Sequence, residues 1–318
     1  INMKKFFMVL TVMLLTLVVL TGCGYLFNPP EDANDGDDNE NTQIKVVHNK
    51  GEFTLNKAAK KVVVFDMGAL DTIDALGAEV ELGVPTSSIP NSLSKYKNAK
   101  DMGTLFEPDL EAIFNFEPDV IIIGTRQQDY YEQLSEIAPT MFVDLRPEAF
   151  MEDFRNNTKN IASMLGLSNK AEEILNEIDA KIEDLKSMAD NSDKKALILL
   201  TNDGNISVYG RGSRFGLIHD VLNIKTADST IEASTHGQSA SFEYIAQVNP
   251  DIIFVVDRTV VVGGTVNASD TLNNDLVKST NAAKNNLIVY LDPDAWYLAS
   301  GGLNTMAVML NDVEKAFE

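Results

Sequence analysis

The sequence predicts an α/β protein of two similar lobes joined by one long helix. Two distant stretches carry the same pattern, LEAIFNFEPDVIIIGTR at 110–126 and FEYIAQVNPDIIFVVDR at 242–258. In each, a Glu is followed by Pro-Asp, an apolar run and an Arg, and matching positions lie 132 residues apart (111 to 243, 118 to 250, 126 to 258). Repetition of this kind marks a duplicated structural unit. The runs 120–123 and 252–255 are apolar throughout, as parallel strands covered on both faces must be. Between the copies, residues 168–190 place Ala171, Ile174, Leu175, Ile178, Ile182, Leu185 and Met188 at helical spacing, with charge elsewhere.

The chain reads in order as follows. Lys4 and Lys5 precede a mostly apolar run to Leu20, and then comes Leu20-Thr21-Gly22-Cys23. This is the pattern of a secretory signal over residues 1–22, ending where a lipobox places its Cys. Cys23 is the sole cysteine, so the body is expected to hold no disulfide and no thiol chemistry. A lipid on Cys23 would tether the mature chain to a membrane. Residues 23–43 are then an acidic tether: NPPEDANDGDDNENTQ has almost no apolar side chain and cannot bury enough surface to fold. His48, close behind, is expected to be solvated.

An N-terminal lobe is expected over residues 44–167. KVVVF at 61–65 opens it as a strand, followed by a helix over 71–76 with Gly77 as its stop. Ser168 is expected to cap the linking helix, assigned to 168–191. A C-terminal lobe covers 192–318, opened by KALILL at 195–200, with 216–222 as the matching helix. Within each repeat, 111–116 and 243–248 read as helices ended by the following Pro. A single rigid connecting helix limits opening, so the expected motion is a small rocking of the lobes.

Arg126 and Arg258 fall just past the carboxyl ends of their strands, where open α/β sheets place their ligands. The bland alternative, two surface arginines, does not account for their shared register. The net charge of −21 excludes a nucleic-acid partner, which needs a basic face.

Several segments together resemble one family. The LTGC lipobox, KVVVFDMGALDTIDALG, Arg126 at its strand end, VYGRGSRFGLIHDVL, STHGQSASFEYI and YLDPDAWYLASGG are similar to siderophore-binding lipoproteins of Gram-positive ABC importers, most closely to the catecholate and petrobactin binders. The similarity runs over essentially the whole mature chain. It implies two Rossmann-like lobes joined by a single long rigid α-helix, no enzymatic activity, no cofactor of the protein's own, and a monomer that holds a ferric catecholate-type siderophore between its lobes. It also implies an outer-face, lipid-anchored location and an ABC permease as partner. The family's anion-binding arginines match Arg126, Arg214 and Arg258. Its two iron-proximal residues match His236 and Tyr297, which would touch iron only when a siderophore supplies four donors. Trp296, beside Tyr297, joins the ligand-binding set. Glu111 and Glu243 match the glutamates that dock on the permease subunits.

The chemistry suits the residues. Ferric catecholates carry several negative charges on oxygen, and Arg presents a permanent planar fork to such groups. Only six arginines occur, at 126, 146, 155, 211, 214 and 258, so three in one cleft would focus positive potential on an acidic protein. Phenolate and imidazole are both acceptable donors to a hard ferric ion. Read on its own, His236 is better explained as a loop histidine than as a ligand, and rim packing is the lesser alternative for Tyr297.

Other features carry less. Gly210-Arg211-Gly212 lacks the spacing of a phosphate-binding loop and reads as a turn delivering Arg214. His219 reads as a structural helix residue. A haem receptor on the same fold would pair His236 with Met67 or Met102, and an α/β hydrolase would need a base beside an activated Ser that the sequence does not offer. Three scattered histidines argue against a free divalent-metal receptor.

Overall fold

The computed structural model describes residues 43–318. The signal, Cys23 and nearly all of the acidic tether lie outside the described residues. A hairpin that sequence reading missed opens the body: β1 (Ile44–His48) pairs antiparallel with β2 (Gly51–Leu55). His48 is not solvated as expected. It is half-buried, with its ring 6.0 Å from Phe53 and 5.9 Å from Tyr131, and burial lowers its pKa.

The first sheet holds β3 (Lys61–Val64), β4 (Glu81–Val84), β5 (Lys100–Asp101), β6 (Val120–Ile123) and β7 (Thr140–Phe142) in the order β5-β4-β3-β6-β7. All its neighbours run parallel. The second comprises β8 (Lys195–Asn202), β9 (Asn205–Tyr209), β10 (Lys225–Thr226), β11 (Gln238–Ser239), β12 (Ile252–Asp257) and β13 (Ile288–Leu291). Here β8, β12 and β13 are parallel, but β9 folds back antiparallel on β8. The second lobe therefore does not begin as the first does. Its expected matching helix is only a wide turn of π type at Leu217–Val221.

The repeat itself is retained down to single atoms. Helices Leu110–Phe116 and Phe242–Val248 are capped by Asp109 and Ser241, whose side chains accept from Ala112 and Tyr244 N–H. Both helices end on a left-handed residue, Glu117 (φ 53°) and Asn249 (φ 49°), one position before the prolines expected to stop them. The Asp after each Pro then ties the unit to the lobe's first strand: Asp119 accepts from Lys61 N–H at 2.9 Å and Asp251 from Lys195 N–H at 3.0 Å.

Side-chain alternation explains the uniformly apolar strands. Val62, Val64, Val120 and Ile122 point into one cluster, while Val63, Phe65, Ile121 and Ile123 point into another on the opposite face. Ala196, Ile198, Ile252 and Phe254 of the second sheet enter the first of these clusters, and Leu197, Leu199, Ile253 and Val255 have their own. The two sheets thus share one core, into which helix Ser168–Asp190 inserts Ala171, Leu175, Ile178, Ile182, Leu185 and Ala189. Ser168 does not cap this helix: it is the first helical residue, and Leu167 precedes it without a side-chain bond, because Gly166 (φ 71°) has just ended helix Phe150–Leu165. Helix Leu303–Glu314 departs from a simple two-lobe division. It packs on β13 but also on the linking helix and on helix Met67–Ala75 of the first sheet's lobe.

Met188, counted in the apolar stripe, is 39 % exposed, whereas Ile178 is 4 % exposed. Ile178→Ala should therefore lower unfolding free energy by about 2–5 kcal/mol, and Met188→Ala by about 0.5 kcal/mol or less. Denaturant titration of both variants checks the contrast.

Candidate ligand-binding site

In the first sheet the strand order reverses between β3 and β6, and a ligand crevice is expected beyond the carboxyl ends of these strands. The residues leaving those ends, Asp66 after β3 and Thr125 and Arg126 after β6, line a cavity of about 550 Å³. Arg146, Glu148, Arg214, His236, Tyr297 and Ser300 line it too. Of the sequence-predicted residues, Arg126, Arg214, His236 and Tyr297 thus come together.

Arg126 sits on a tight turn. Gln127, 1 % exposed, accepts from Gly124 N–H at 3.1 Å and donates to the Leu105 carbonyl, which pins the turn. A Cβ at Gly124 would lie 2.6 Å from Asp66 Oδ2, so a larger residue there would displace that carboxyl group. Asp66 caps helix Met67–Ala75 through Ala69 N–H at 2.8 Å. Burial raises its pKa, and its cap bond and the Arg126 charge oppose that rise.

The opposite wall is built around Tyr297. Arg214 stacks over its ring, with Cζ 4.5 Å from the centroid, and donates from Nη2 to the Tyr297 carbonyl at 3.2 Å. Burial lowers the Arg214 pKa, so its charge is held at a desolvation cost. Arg258 does not line the cavity itself. It reaches the cavity through Tyr297, donating from Nε to the phenolic oxygen at 2.6 Å. Its backbone place is set by Asp257, which accepts from Thr259 and Ala268 N–H and so fixes the turn after β12.

The Gly210–Gly212 turn does lead to Arg214, and Asp220 stitches it: its Oδ2 accepts from Gly212 N–H at 2.7 Å, and Arg211 donates to its Oδ1. His219 is fully buried, with Nδ1 2.8 Å from the Ile224 carbonyl.

His236 is an exposed ring on a supported loop. Tyr209, which sequence reading passed over, donates its hydroxyl to the His236 carbonyl at 2.9 Å, and a Cβ at Gly237 would meet the Tyr209 ring at 2.7 Å. Tyr209 packs edge-on against Phe215 at 4.7 Å, and Arg214 lies above that ring. The signal for it was its place in VYGRGSRFGLIHDVL, the segment that also holds Arg214.

Trp296 departs from expectation. It is 1 % exposed and its indole N–H bonds Asp312 at 3.1 Å, so it lies behind the wall and not in it. Residues 294–298 form one wide π-type turn, in which the two neighbours point apart. Arg146 lines the cavity, but its guanidinium is committed to Asp153 through bonds of 2.9 and 2.7 Å. Met67 and Met102 are both buried in apolar clusters and neither lines the cavity, so they cannot serve His236 as a second axial ligand.

The cavity combines Arg126 and Arg214 with one phenol and one imidazole, beside the carboxyl groups of Asp66, Asp144 and Glu148, and these two guanidiniums suit an oxygen-rich anion. A model of the periplasmic binding protein family matches residues 62–295. The chain belongs to the periplasmic binding protein family. Among its relatives, the petrobactin-binding protein YclQ of Bacillus subtilis is 41 % identical over 99 % of this chain and 100 % of its own length. The ferric-anguibactin-binding protein FatB of Vibrio anguillarum is 32 % identical over 95 % of each chain. The crystal structure of YclQ superposes with a TM-score of 0.82 at 42 % identity, covering 87 % of this chain and 99 % of that one. These family members are binding proteins and not enzymes, in agreement with the sequence reading.

Tyr209→Phe keeps the ring packing but frees the His236 carbonyl, and should weaken ligand binding by about 0.5–1.5 kcal/mol. Trp296→Phe should lower the melting temperature while leaving affinity near the wild-type value. Calorimetric titration with an iron–siderophore complex, beside thermal melts, tests both.

Proposed function

We propose that this protein captures a ferric siderophore of the catecholate type, petrobactin-like by preference, and delivers it to an ABC permease for iron uptake. The observation that carries the reading is the convergence of Arg126, Arg214, His236 and Tyr297 on one cavity of a strongly acidic chain. A ligand bearing concentrated negative charge offsets the cost of holding Arg214 desolvated, and the local positive potential must outweigh the repulsion of an acidic exterior. Arg126 and Arg214 contact the ligand oxygens directly, while Arg258 acts through the Tyr297 hydroxyl. His236 and Tyr297 complete the iron coordination of four-donor siderophores and stay outside that of six-donor ones. The likeness to YclQ, a petrobactin-binding protein, supports the ligand class.

Delivery follows from the repeat. Glu111 and Glu243 are exposed in the first turns of equivalent capped helices, one per sheet. Its own backbone N–H and Ser241 lower the Glu243 pKa, which keeps that carboxylate charged. Two matched carboxylates suit a permease with two equivalent basic pockets. The monomeric protein is held at the outer membrane face by lipid on Cys23.

A panel of ferric siderophores and haemin, titrated by calorimetry, tests the ligand. A catecholate complex should bind best, and Arg126→Ala and Arg214→Ala should each cost about 1.5–3 kcal/mol; heat from haemin alone would refute the reading. For delivery, Glu111→Ala combined with Glu243→Ala should leave affinity intact and abolish iron uptake by cells. Uptake at the wild-type rate would remove the docking role.

A further inference from the structure

Asp71 is a carboxyl group outside the cavity lining and only 2 % exposed. It lies on helix Met67–Ala75, which follows β3 of the first sheet. Its Oδ2 accepts at 3.0 Å from the backbone N–H of Thr305, 234 positions later in the chain. Thr305 is the third residue of helix Leu303–Glu314, which packs on β13 of the second sheet.

That helix has no side-chain cap of its own, because Gly302 occupies the capping position. Thr305 Oγ1 accepts from Gly302 N–H at 3.1 Å and donates to the Ala299 carbonyl at 2.8 Å, which leaves the Thr305 N–H to Asp71. The carboxylate of one lobe thus serves as the missing cap of a helix in the other. The fit is close on both sides. A Cβ at Gly302 would sit 2.3 Å from Asp71 Oδ2, and one at Gly68 would sit 2.7 Å from the Ser300 carbonyl. The segment held in this way is continuous with Tyr297, Leu298 and Ser300, all of which line the cavity.

We propose that Asp71 is a positioning residue for the ligand cavity: by capping helix Leu303–Glu314 from across the lobes, it holds the Tyr297–Ser300 wall against the first lobe. The assignment of that cavity as the ligand site rests on the function proposed above; the clamp itself does not need a ligand to be tested.

Burial raises the Asp71 pKa to about 6, against opposing bonds from Thr305 and Asn304. The charged groups around it are few. Asp74, one turn on, raises the pKa further and is itself tied to Lys95 and the Tyr96 hydroxyl. Helix Leu303–Glu314 presents only amides and a hydroxyl there, from Asn304 and Thr305. A carboxyl whose folded pKa lies above its unfolded value contributes stability at low pH that is lost as pH rises through about 6. Asp71→Asn, which cannot titrate, should lack that loss, so its melting temperature should rise relative to wild type between pH 5 and pH 7.5.

Hydrogen exchange on the unliganded protein at pH 7.5 tests the clamp. Asp71→Ala should speed exchange in residues 297–306 by at least tenfold and leave the strands of both sheets protected, with Asp71→Asn intermediate. Gly302→Ala, which forces the carboxylate away, should reproduce the pattern and covers the case in which Asp71→Ala does not fold. Ferric petrobactin should bind Asp71→Ala about tenfold more weakly, with partial recovery in Asp71→Asn. Unchanged exchange in 297–306, or equal acceleration throughout the second sheet, overturns the proposal. Failure of ferric petrobactin to bind wild type would count against the proposed function alone, and the exchange result would still decide the clamp.

Discussion

Val62, Val120, Ala196 and Ile252 come from four strands of two different sheets, yet they lie in one apolar cluster with the buried stripe of helix Ser168–Asp190. Opening the lobes widely would expose that shared core, at roughly 25 cal/mol for each Å² of apolar surface. A hinge that swings freely is therefore disfavoured. Helix Leu303–Glu314, which touches both lobes and the linking helix, adds a second connection far from the first in sequence. Ligand selection then rests largely on what the walls present.

What they present is charge held under strain. Arg214 is largely removed from water, and the ring of Tyr297 beneath it returns only part of the lost solvation. An anion placed there would recover electrostatic energy already spent on folding, so a local positive site can act against a net charge of −21. Arg146 shows the contrast. It lines the same cavity, but its bidentate bond with Asp153 leaves little for a ligand. Counting arginines in a pocket overstates its appetite for anions unless each partner is followed.

The legible part of this fold was the part repeated in sequence. A duplicated Glu, Pro-Asp and Arg identified two helix-strand units, because the same backbone problem had been solved twice with the same side chains. Hairpin β1–β2 and the β8–β9 turn-back were not legible. Short strands at an edge or hairpin carry weak alternation, and KALILL reads equally as a parallel or an antiparallel strand. Arg126, Arg214, His236 and Tyr297 could be singled out because they stand in distinctive segments, and the fold brings these four to one cavity. Trp296 was misplaced since adjacency in sequence does not mean a shared face when the backbone makes a π-type turn. Tyr209, Gln127 and Asp71 act on other groups and not on a ligand, and nothing in composition or spacing distinguishes such residues from ordinary core.

The repeat also shows where symmetry stops. Caps, left-handed helix ends and strand ties coincide in the two units, and both arginines emerge after equivalent strands. Their uses nevertheless differ. Arg126 faces the cavity directly, whereas Arg258 is aimed at a phenol. The difference arises from residues outside the repeat. In the first lobe the adjacent strand end supplies Asp66, which leaves Arg126 beside a carboxylate of opposing charge. In the second, the wide turn carrying Tyr297 intrudes between Arg258 and the cavity. A symmetric backbone with asymmetric walls sets Arg126 beside Asp66 on one side and Arg214 with a phenol backed by Arg258 on the other. A metal complex with filled positions on one side and open ones on the other would be oriented by that difference.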